Sequence, residues 1–379
     1  MKIYKEENVY DALIQRLNYI FDEFENVIVC VSGGKDSTVL FEMTYQVARQ
    51  RKRPIGVMFI DQEIEWQATI DMIKDWMYRE GTFPKWYQME FKLFNATSFN
   101  EHWLICWDES KKDLWVREKD PVSIKKNIYG AKRFHSLFSS IPRVEYPNSP
   151  VAYLSGVRAE ESPDRFMAVT TTPIYKWITW GKILDGERGH FTFYPLYDWS
   201  YTDIWKAICD NNWKYNRLYD VQFRYGIPGK QMRISNLHHE TSVHSLFYAQ
   251  EAEPETWDKI TQRIEGIDCA GKMESKDFFC PDELPFMFKS WAEYRDYLLE
   301  KLIDNPRWKA KFKRKFKSLE YLEDYIPEKL YRLEINAILT NDWEFVKLGK
   351  IERKGIGYNI KRQLKERENG KREAETINT

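Results

Sequence analysis

The sequence predicts an α/β fold, in which a parallel sheet is flanked by helices and followed by a helical C-terminal region. Three observations lead there. Short apolar runs rich in β-branched residues, at 27–31 and 55–60, read as buried strands. They alternate with helix-period segments at a spacing that implies right-handed crossovers and a sheet covered on both faces. The first run also breaks directly into Ser32-Gly33-Gly34-Lys35-Asp36-Ser37, a turn that opens a helix.

The elements follow in order. Val9, Leu13, Leu17, Ile20 and Phe24 form one stripe of an amphipathic helix over about residues 8–24. The strand and loop at 27–37 lead into a helix that reaches about Arg51. A second strand ends in Asp61, a helix runs from about Gln67 to Arg79, and residues 86–91 suit a third strand. Residues from about 100 to 150, with Trp103, Trp107 and Trp115 among charges, read as an insertion folded over the sheet edge and the site. Residues 151–155 are a fourth strand and 191–194 a further one. Ser200 is placed to cap the helix carrying Ile204, Trp205 and Ile208. These boundaries give a nucleotide-binding α/β domain over 1–235, a helical region over 236–360 and an exposed, flexible tail over 361–379.

The turn at 32–37 carries the chemistry. A strand that turns through paired glycines into a helix N-terminus offers free N–H groups and a positive dipole end to an anion. Gly33 and Gly34 allow close backbone approach, Lys35 adds a point charge, and Ser32, Ser37 and Thr38 add hydroxyl donors. Asp36 suits a helix cap or a magnesium ligand. Such loops lie beyond the carboxyl ends of parallel strands, and Asp61 falls at the same edge.

The spacing is too short for the common nucleoside triphosphatase loop. The motif instead resembles the Ser-Gly-Gly-x-Asp-Ser pyrophosphate loop (PP-loop) of the adenine nucleotide alpha hydrolases, or N-type ATP pyrophosphatases, with their Rossmann-like fold. With Asp61, Gly156-Val157-Arg158, Glu161, Ser162, Arg165, the 195–199 segment, Asp203-Ile204-Trp205 and the 215–220 segment, the order is similar to the phosphoadenosine phosphosulfate reductase family. The resemblance covers residues from about 8 to 230. It implies that Ser32, Gly33, Gly34, Lys35, Asp36, Ser37, Asp61, Gly156, Arg158 and Arg165 bind an adenine nucleotide. Lys35, Asp36 and Arg158 would be catalytic, and Asp36 and Asp61 would hold Mg2+. Arg158 and Arg165 would both face the phosphates if a helix begins near Ala159. The Trp-rich insertion and the 232–235 segment look like a less characterised branch, whose members often occur with a ParB-like partner protein.

The departures set the expected reaction. The family's Glu-Cys-Gly-x-His segment, whose thiolate attacks sulfur, is missing from the sequence, as are the paired cysteines of an iron–sulfur cluster. The nearest thiols, Cys269 and Cys280, have no neighbouring His and read as structural. Where the family often has Asp-Thr-Gly, this chain has Asp61-Gln62-Glu63, and the extra charge on Glu63 favours Mg-ATP over a bare sulfonucleotide. The expected function is therefore cleavage of ATP between the α and β phosphates to adenylate an acceptor, with nucleic-acid and sulfur modification as the candidate settings. The alternatives are a thiol-dependent sulfonucleotide reductase and a nucleotide-binding regulator that acts with a protein partner.

Composition bounds the rest. Five cysteines without a Cys-x-x-Cys pair suggest reduced thiols in a cytoplasmic protein. No apolar stretch has the ~20 residues of a membrane helix. Zero formal net charge argues against bulk capture of nucleic acid. A local surface remains, where Trp308, Phe312 and Phe316 recur every four residues among Lys309, Lys311, Lys313, Arg314, Lys315 and Lys317. That helix reads either as packed by its aromatics with solvated lysines, or as a nucleic-acid surface. His238, His239, His244, Cys269 and Cys280 match no standard zinc spacing.

Overall fold

The computed structural model describes residues 6–95, 103–171, 173–234, 236–238, 243–272, 279–353 and 356–377. The chain divides into two compact units, the first comprising Met1–Leu93, Ile105–Leu237 and Gln250–Arg263. Its sheet has seven strands in the order β3-β2-β1-β6-β9-β8-β7: β1 Asn26–Cys30, β2 Ile55–Ile60, β3 Thr82–Tyr87, β6 Val151–Ser155, β7 Ile174–Tyr175, β8 Ile178–Asp185 and β9 His190–Phe193. A separate two-stranded ribbon pairs β4, Phe91–Phe94, with β5, Trp103–Cys106. From β3 to β9 all neighbours are parallel, as the sequence predicts, and β8 and β7 extend the edge as an antiparallel meander.

Helix α1, Val9–Glu23, begins where the Asn8 side chain accepts from the N–H groups of Tyr10 and Asp11. Its Leu13, Leu17 and Ile20 are fully buried and join α2, Lys35–Gln50, and α3, Gln67–Met77, in the core against the sheet. The core contains Phe41 stacked on Trp76 at 5.0 Å. Among the described residues, no helix is long and apolar enough to cross a membrane.

Two sequence expectations shift here. The third strand is Thr82–Tyr87 rather than 86–91, because β3 pairs with β2 along its whole length from Ile55↔Thr82 to Ile60↔Tyr87. Pro84 is tolerated because β3 is an edge strand. The segment read as an irregular insertion contains helix α4, Phe134–Glu145, and is tied to the sheet by a parallel bridge between Tyr87 and Ile124.

Helix α5 is Pro163–Thr170, α6 Tyr201–Asp210 and α7 Leu218–Arg224. Ser200 caps α6 as expected, in a reciprocal box with Asp203. Trp199 is buried and donates to the Val9 carbonyl, while Asp198 holds Arg16 at 2.6 and 2.7 Å.

The first unit leaves the chain at Leu237 and takes it up again over Gln250–Arg263. Helix α8 is Val243–Ala252 and α9 is Pro254–Arg263. The Glu253 carboxylate accepts from the N–H groups of Gln67 and Ala68, capping α3, whose Trp66 N-cap offers no side-chain acceptor. Arg263 pairs with Glu63 at 2.6 Å, both buried.

The second unit comprises Phe94–Leu104, His238–Ala249 and Ile264–Thr379. Helices α10, Ile267–Lys272, α11, Trp291–Leu302, α12, Pro306–Lys317, α13, Pro327–Leu339, α14, Val346–Arg353, and α15, Ile356–Ile377, lie within it. Its core includes Leu298, Phe312, Phe316, Ile335, Ile338 and Trp343. The aromatic stripe of α12 packs inward, with Trp308 and Phe312 against Trp343 at 4.9 and 5.2 Å. Its lysines are largely engaged: Lys309 and Lys313 with Glu300 at 2.8 and 2.6 Å, Lys315 with Glu352, and Lys311 with the Trp343 carbonyl at 2.6 Å. Lys309 and Lys313 together hold the Glu300 carboxyl down to about 2. Four of the basic residues of α12 are thus engaged within the unit. Residues 361–377 continue α15, where Arg362 pairs with Glu366 at i, i+4.

Candidate functional site

Strand β1 has β2 on one side and β6 on the other, so the sheet order turns between β1 and β6. In open parallel sheets, the loops leaving such a point bound a ligand crevice. Here they bound a cleft of about 600 Å³. Its walls include Ser32, Gly34, Lys35, Asp36 and Ser37 after β1, and Gly156, Arg158 and Glu161 after β6. Other walls come from the end of β2, from Gln62 and Glu65, from Phe134, His135 and Phe138 of α4, and from Lys230, Arg233 and Asn236.

The 32–37 loop is built by local chemistry. Gly33 has φ +69°, and a Cβ there would sit 2.8 Å from Thr69 Cγ2, so glycine is required on both counts. Asn216 Nδ2 ties the Gly33 carbonyl to Thr69 Oγ1 at 3.2 and 3.1 Å. Ser37 Oγ accepts from the Ser32 N–H and donates to the Gly34 carbonyl, which also accepts from Thr38 Oγ1. The loop closes on its own hydroxyls, and Gly34 N-caps α2 without a side chain, so the first turn borders the cleft with no acceptor from its own cap residue.

Two buried cations stand at this turn. Lys35, 5% exposed, donates from Nζ to the Met232 carbonyl at 3.2 Å and lies 3.3 Å from Asp36 Oδ2. Arg158, 4% exposed, pairs through Nε with Asp36 and reaches the Trp199 carbonyl at 3.4 Å. Both cations thus meet the Asp36 carboxylate beside the helix N-terminus, whose positive dipole end adds to theirs. Gly156 makes this approach possible, because a Cβ there would lie 3.2 Å from the Asp36 carbonyl carbon and oxygen. Glu161 lies 3.9 Å from Arg158 and 3.5 Å from Arg165. Burial, and then the Asp36 charge, raise its carboxyl above the usual range. Exposed Arg165, Lys230 and Arg233 complete a basic rim, with Arg233 donating to the Glu161 carbonyl at 3.1 Å.

Most residues expected at the site are thus brought together: Ser32, Gly34, Lys35, Asp36, Ser37, Gly156, Arg158 and Arg165 line one cleft, and Gly33 shapes the loop from behind. Three expectations are corrected. Asp61 is fully buried, with Oδ1 accepting from the Glu63 N–H and Arg117 at 2.9 and 2.5 Å. Its Oδ2 accepts from Trp86 and Gln88, both at 2.9 Å, so neither oxygen is left for magnesium or nucleotide. Glu63 spends its charge on Arg263 and the Trp107 N–H, so it adds no negative field to discriminate between nucleotides. Arg158 and Arg165 do not share a helix: α5 begins at Pro163, capped by Ser162, and Arg158 precedes it in the loop.

Sequence reasoning missed the groups that hold the loop. The Tyr219 hydroxyl accepts from the Lys35 N–H at 2.9 Å, across 184 residues, and its ring lies 5.4 Å from the Lys35 ammonium. The 215–220 segment had been singled out, but no periodicity announces such a pairing. Cys30, half-buried at the end of β1, lines the cleft, and burial pushes its thiol up to about 12. Cys269 is exposed, and Cys280 is half-buried with its thiol raised by burial. Among the described residues, no group of three or more His, Cys, Asp or Glu could hold a metal, and His239 lies outside them.

Residues 26–92 and 123–225 match the phosphoadenosine phosphosulfate reductase domain, and residues 226–354 match a domain of unknown function, DUF3440. The chain is 25% identical to the uncharacterized protein YbdN of Escherichia coli K12 over 322 residues, 81% of this chain and 78% of that one. It is also 25% identical to an adenosine 5'-phosphosulfate reductase of Oceanobacillus iheyensis over 195 residues, 52% of this chain and 66% of that one. A phosphoadenylyl-sulfate reductase structure from Candida auris aligns over 62% of this chain and 98% of its own, at 15% identity. Its TM-score of 0.34 is too low to speak to the reaction. The α/β unit thus carries the match to the phosphoadenosine phosphosulfate reductase domain, and the similarity to YbdN extends over most of the chain.

Proposed function

We propose that the cleft binds ATP with its β and γ phosphates on the 32–37 loop and cleaves the α–β bond, transferring the adenylyl group to an acceptor. The observation that carries this reading is the glycine-capped first turn of α2 at the cleft, flanked by two buried cations, Lys35 and Arg158, that share Asp36. An acceptor oxygen attacks the α-phosphorus, the bond to the bridging oxygen breaks, and pyrophosphate departs with the electron pair. Negative charge grows on the departing group. Fixed N–H donors and the Lys35 ammonium stabilise it most at that moment. Arg158, poised on Asp36, is placed to transfer its guanidinium to the phosphate oxygens.

Magnesium ordinarily enters such sites on the nucleotide, held by phosphates and one or two carboxylates, and shields the phosphate charge. Asp36 is the loop carboxylate suited to that role, once Arg158 and Lys35 turn to phosphate. The 600 Å³ of the cleft accommodates a nucleotide and part of an acceptor. Reductase chemistry is the weaker reading, because the thiol in the cleft wall, Cys30, is held protonated by burial.

The test is product analysis. Incubation with Mg-ATP and an acceptor should yield pyrophosphate and adenylylated acceptor in equal amounts, with AMP appearing only as water or a second nucleophile displaces it from the acceptor, and Lys35→Ala and Arg158→Ala should abolish both. Sulfite release from adenosine phosphosulfate or its 3′-phosphate, in the presence of a thiol, would replace this reading with the reductase. ATP binding without turnover across an acceptor panel would replace it with the regulator.

A further inference from the structure

A strap of chain joins the three loops that bound the cleft. Residues 226–234 leave α7 at Gly226, whose φ of +74° turns the chain, and Asn236 follows them. After β1, Lys35 Nζ donates to the Met232 carbonyl at 3.2 Å. After β6, the Glu161 carbonyl accepts from Arg233 at 3.1 Å. After β2, the Asn236 amide lies 2.8 and 3.0 Å from the two Glu65 oxygens. Gln222 Nε2 donates to the Arg233 carbonyl at 2.5 Å, so the backbone that carries Arg233 is fixed to α7.

Charge is uneven across this cleft. The loop after β6 and the strap bring Arg158, Arg165 and Arg233 to one side, whereas the β2 side offers Met58, Phe59 and Gln62 with the Glu65 carboxyl. A nucleotide, with a neutral base and an anionic chain, is therefore favoured with its phosphates towards β6. Two of those arginines already meet carboxylates, Arg158 with Asp36 and Arg165 with Glu161 at 3.5 Å. Arg233 differs. Its guanidinium is exposed, its partner is a neutral carbonyl, and it forms no ion pair among the described residues. Lys230, on the same strap and the same cleft wall, forms none among them either.

A triphosphate carries one more phosphate charge than a diphosphate, and a planar guanidinium can offer it two parallel N–H donors. We propose that Arg233, assisted by Lys230, holds the terminal phosphate and so makes the cleft select nucleoside triphosphates over diphosphates. The inference rests on the nucleotide reading of the cleft. It also gives the opening of the segment matched to DUF3440 a part in the nucleotide site.

Calorimetric titration of the full chain with Mg-ATP and Mg-ADP tests this, on wild type, Arg233→Ala, Arg233→Lys and Lys230→Ala. Wild type should bind ATP about tenfold more tightly than ADP, as one charge-assisted contact allows. Arg233→Ala should weaken ATP by about tenfold, the low end for such a contact because the side chain is exposed, and leave ADP within about threefold of wild type. Arg233→Lys keeps the charge without the fork and should fall between the two. Lys230→Ala should narrow the preference in the same direction by a smaller factor. Equal loss for ATP and ADP in Arg233→Ala, or no loss for either, overturns the assignment while leaving the nucleotide site intact. The strap would then brace the loops or meet the acceptor. Absence of binding of either nucleotide by wild type overturns the site reading, and the inference with it.

Discussion

The Tyr219 hydroxyl accepts a hydrogen bond from the backbone N–H of Lys35 at 2.9 Å, so one donor of the first turn of α2 is satisfied by the protein itself. The same ring lies under the Lys35 ammonium at 5.4 Å. Tyr219→Phe should therefore keep the ring and lose the acceptor, leaving a buried N–H unpaired. A loss of about 1–3 kcal/mol in urea unfolding is expected. Partial recovery at saturating ATP should follow, because a phosphate oxygen supplies a substitute acceptor. No loss of stability would show that water already serves that N–H.

The contact between Asp36 and Arg158 is buried on the arginine side, so removing the cation leaves a cavity and an Asp36 carboxylate held by Lys35 alone, 3.3 Å away. Arg158→Ala should cost about 1–3 kcal/mol of stability. Asp36→Asn with Arg158→Leu should recover part of that loss while still failing to turn over ATP. A double variant no more stable than Arg158→Ala would mean that the pair contributes little to the fold.

Gly156 lies where a Cβ would press on the Asp36 carbonyl at 3.2 Å and the Ser37 nitrogen at 3.3 Å. Gly156→Ala should force the loops after β1 and β6 apart, costing about 1–3 kcal/mol in stability and weakening ATP binding. Denaturant titration and calorimetry on the same preparation give both quantities. Wild-type values in both would show that the loops have slack.

The Glu65 carboxyl is raised from an ordinary value of 4.5 to about 8 by burial. In this window the folded state holds a proton that the unfolded state has lost. Its contribution to stability is full below about pH 4.5 and is lost as pH rises towards 8. Glu334, raised to about 7, acts in the same direction in the other unit. Stability should therefore fall with rising pH between these limits, and Glu65→Gln should flatten the fall without abolishing it. An unchanged slope in Glu65→Gln would place that proton elsewhere.

The sheet, the loop and the order of motifs were legible in the sequence because local patterns encode them. Buried parallel strands read as continuous apolar runs, and Ser32–Ser37 must lie contiguous in sequence to make its turn. Asp61 and Glu63 misled because a carboxylate at a strand end looks the same whether it faces a ligand or a buried arginine. Their partners, Arg117 and Arg263, lie 56 and 200 residues away. The helix after Arg158 was misplaced because Ser162-Pro163 restarts the chain, with proline in the first turn and Ser162 as cap. The antiparallel edge of β7 and β8 was missed because half-buried edge strands carry weak alternation. For α12 the aromatic stripe was read correctly, but the acids that take up its lysines, Glu300 and Glu352, sit on other helices.

The central claim is that the 32–37 loop and its two cations form a nucleotide phosphate site. Calorimetric titration of the full chain with Mg-ATP, comparing wild type with Lys35→Ala, tests it most directly. Loss of one charge-assisted contact should weaken binding by about 1.5–3 kcal/mol, roughly 10- to 150-fold, with Lys35→Ala still folded. Equal affinity in the two proteins would contradict the account, because the buried ammonium would then stand at the head of α2 for some purpose other than holding phosphate.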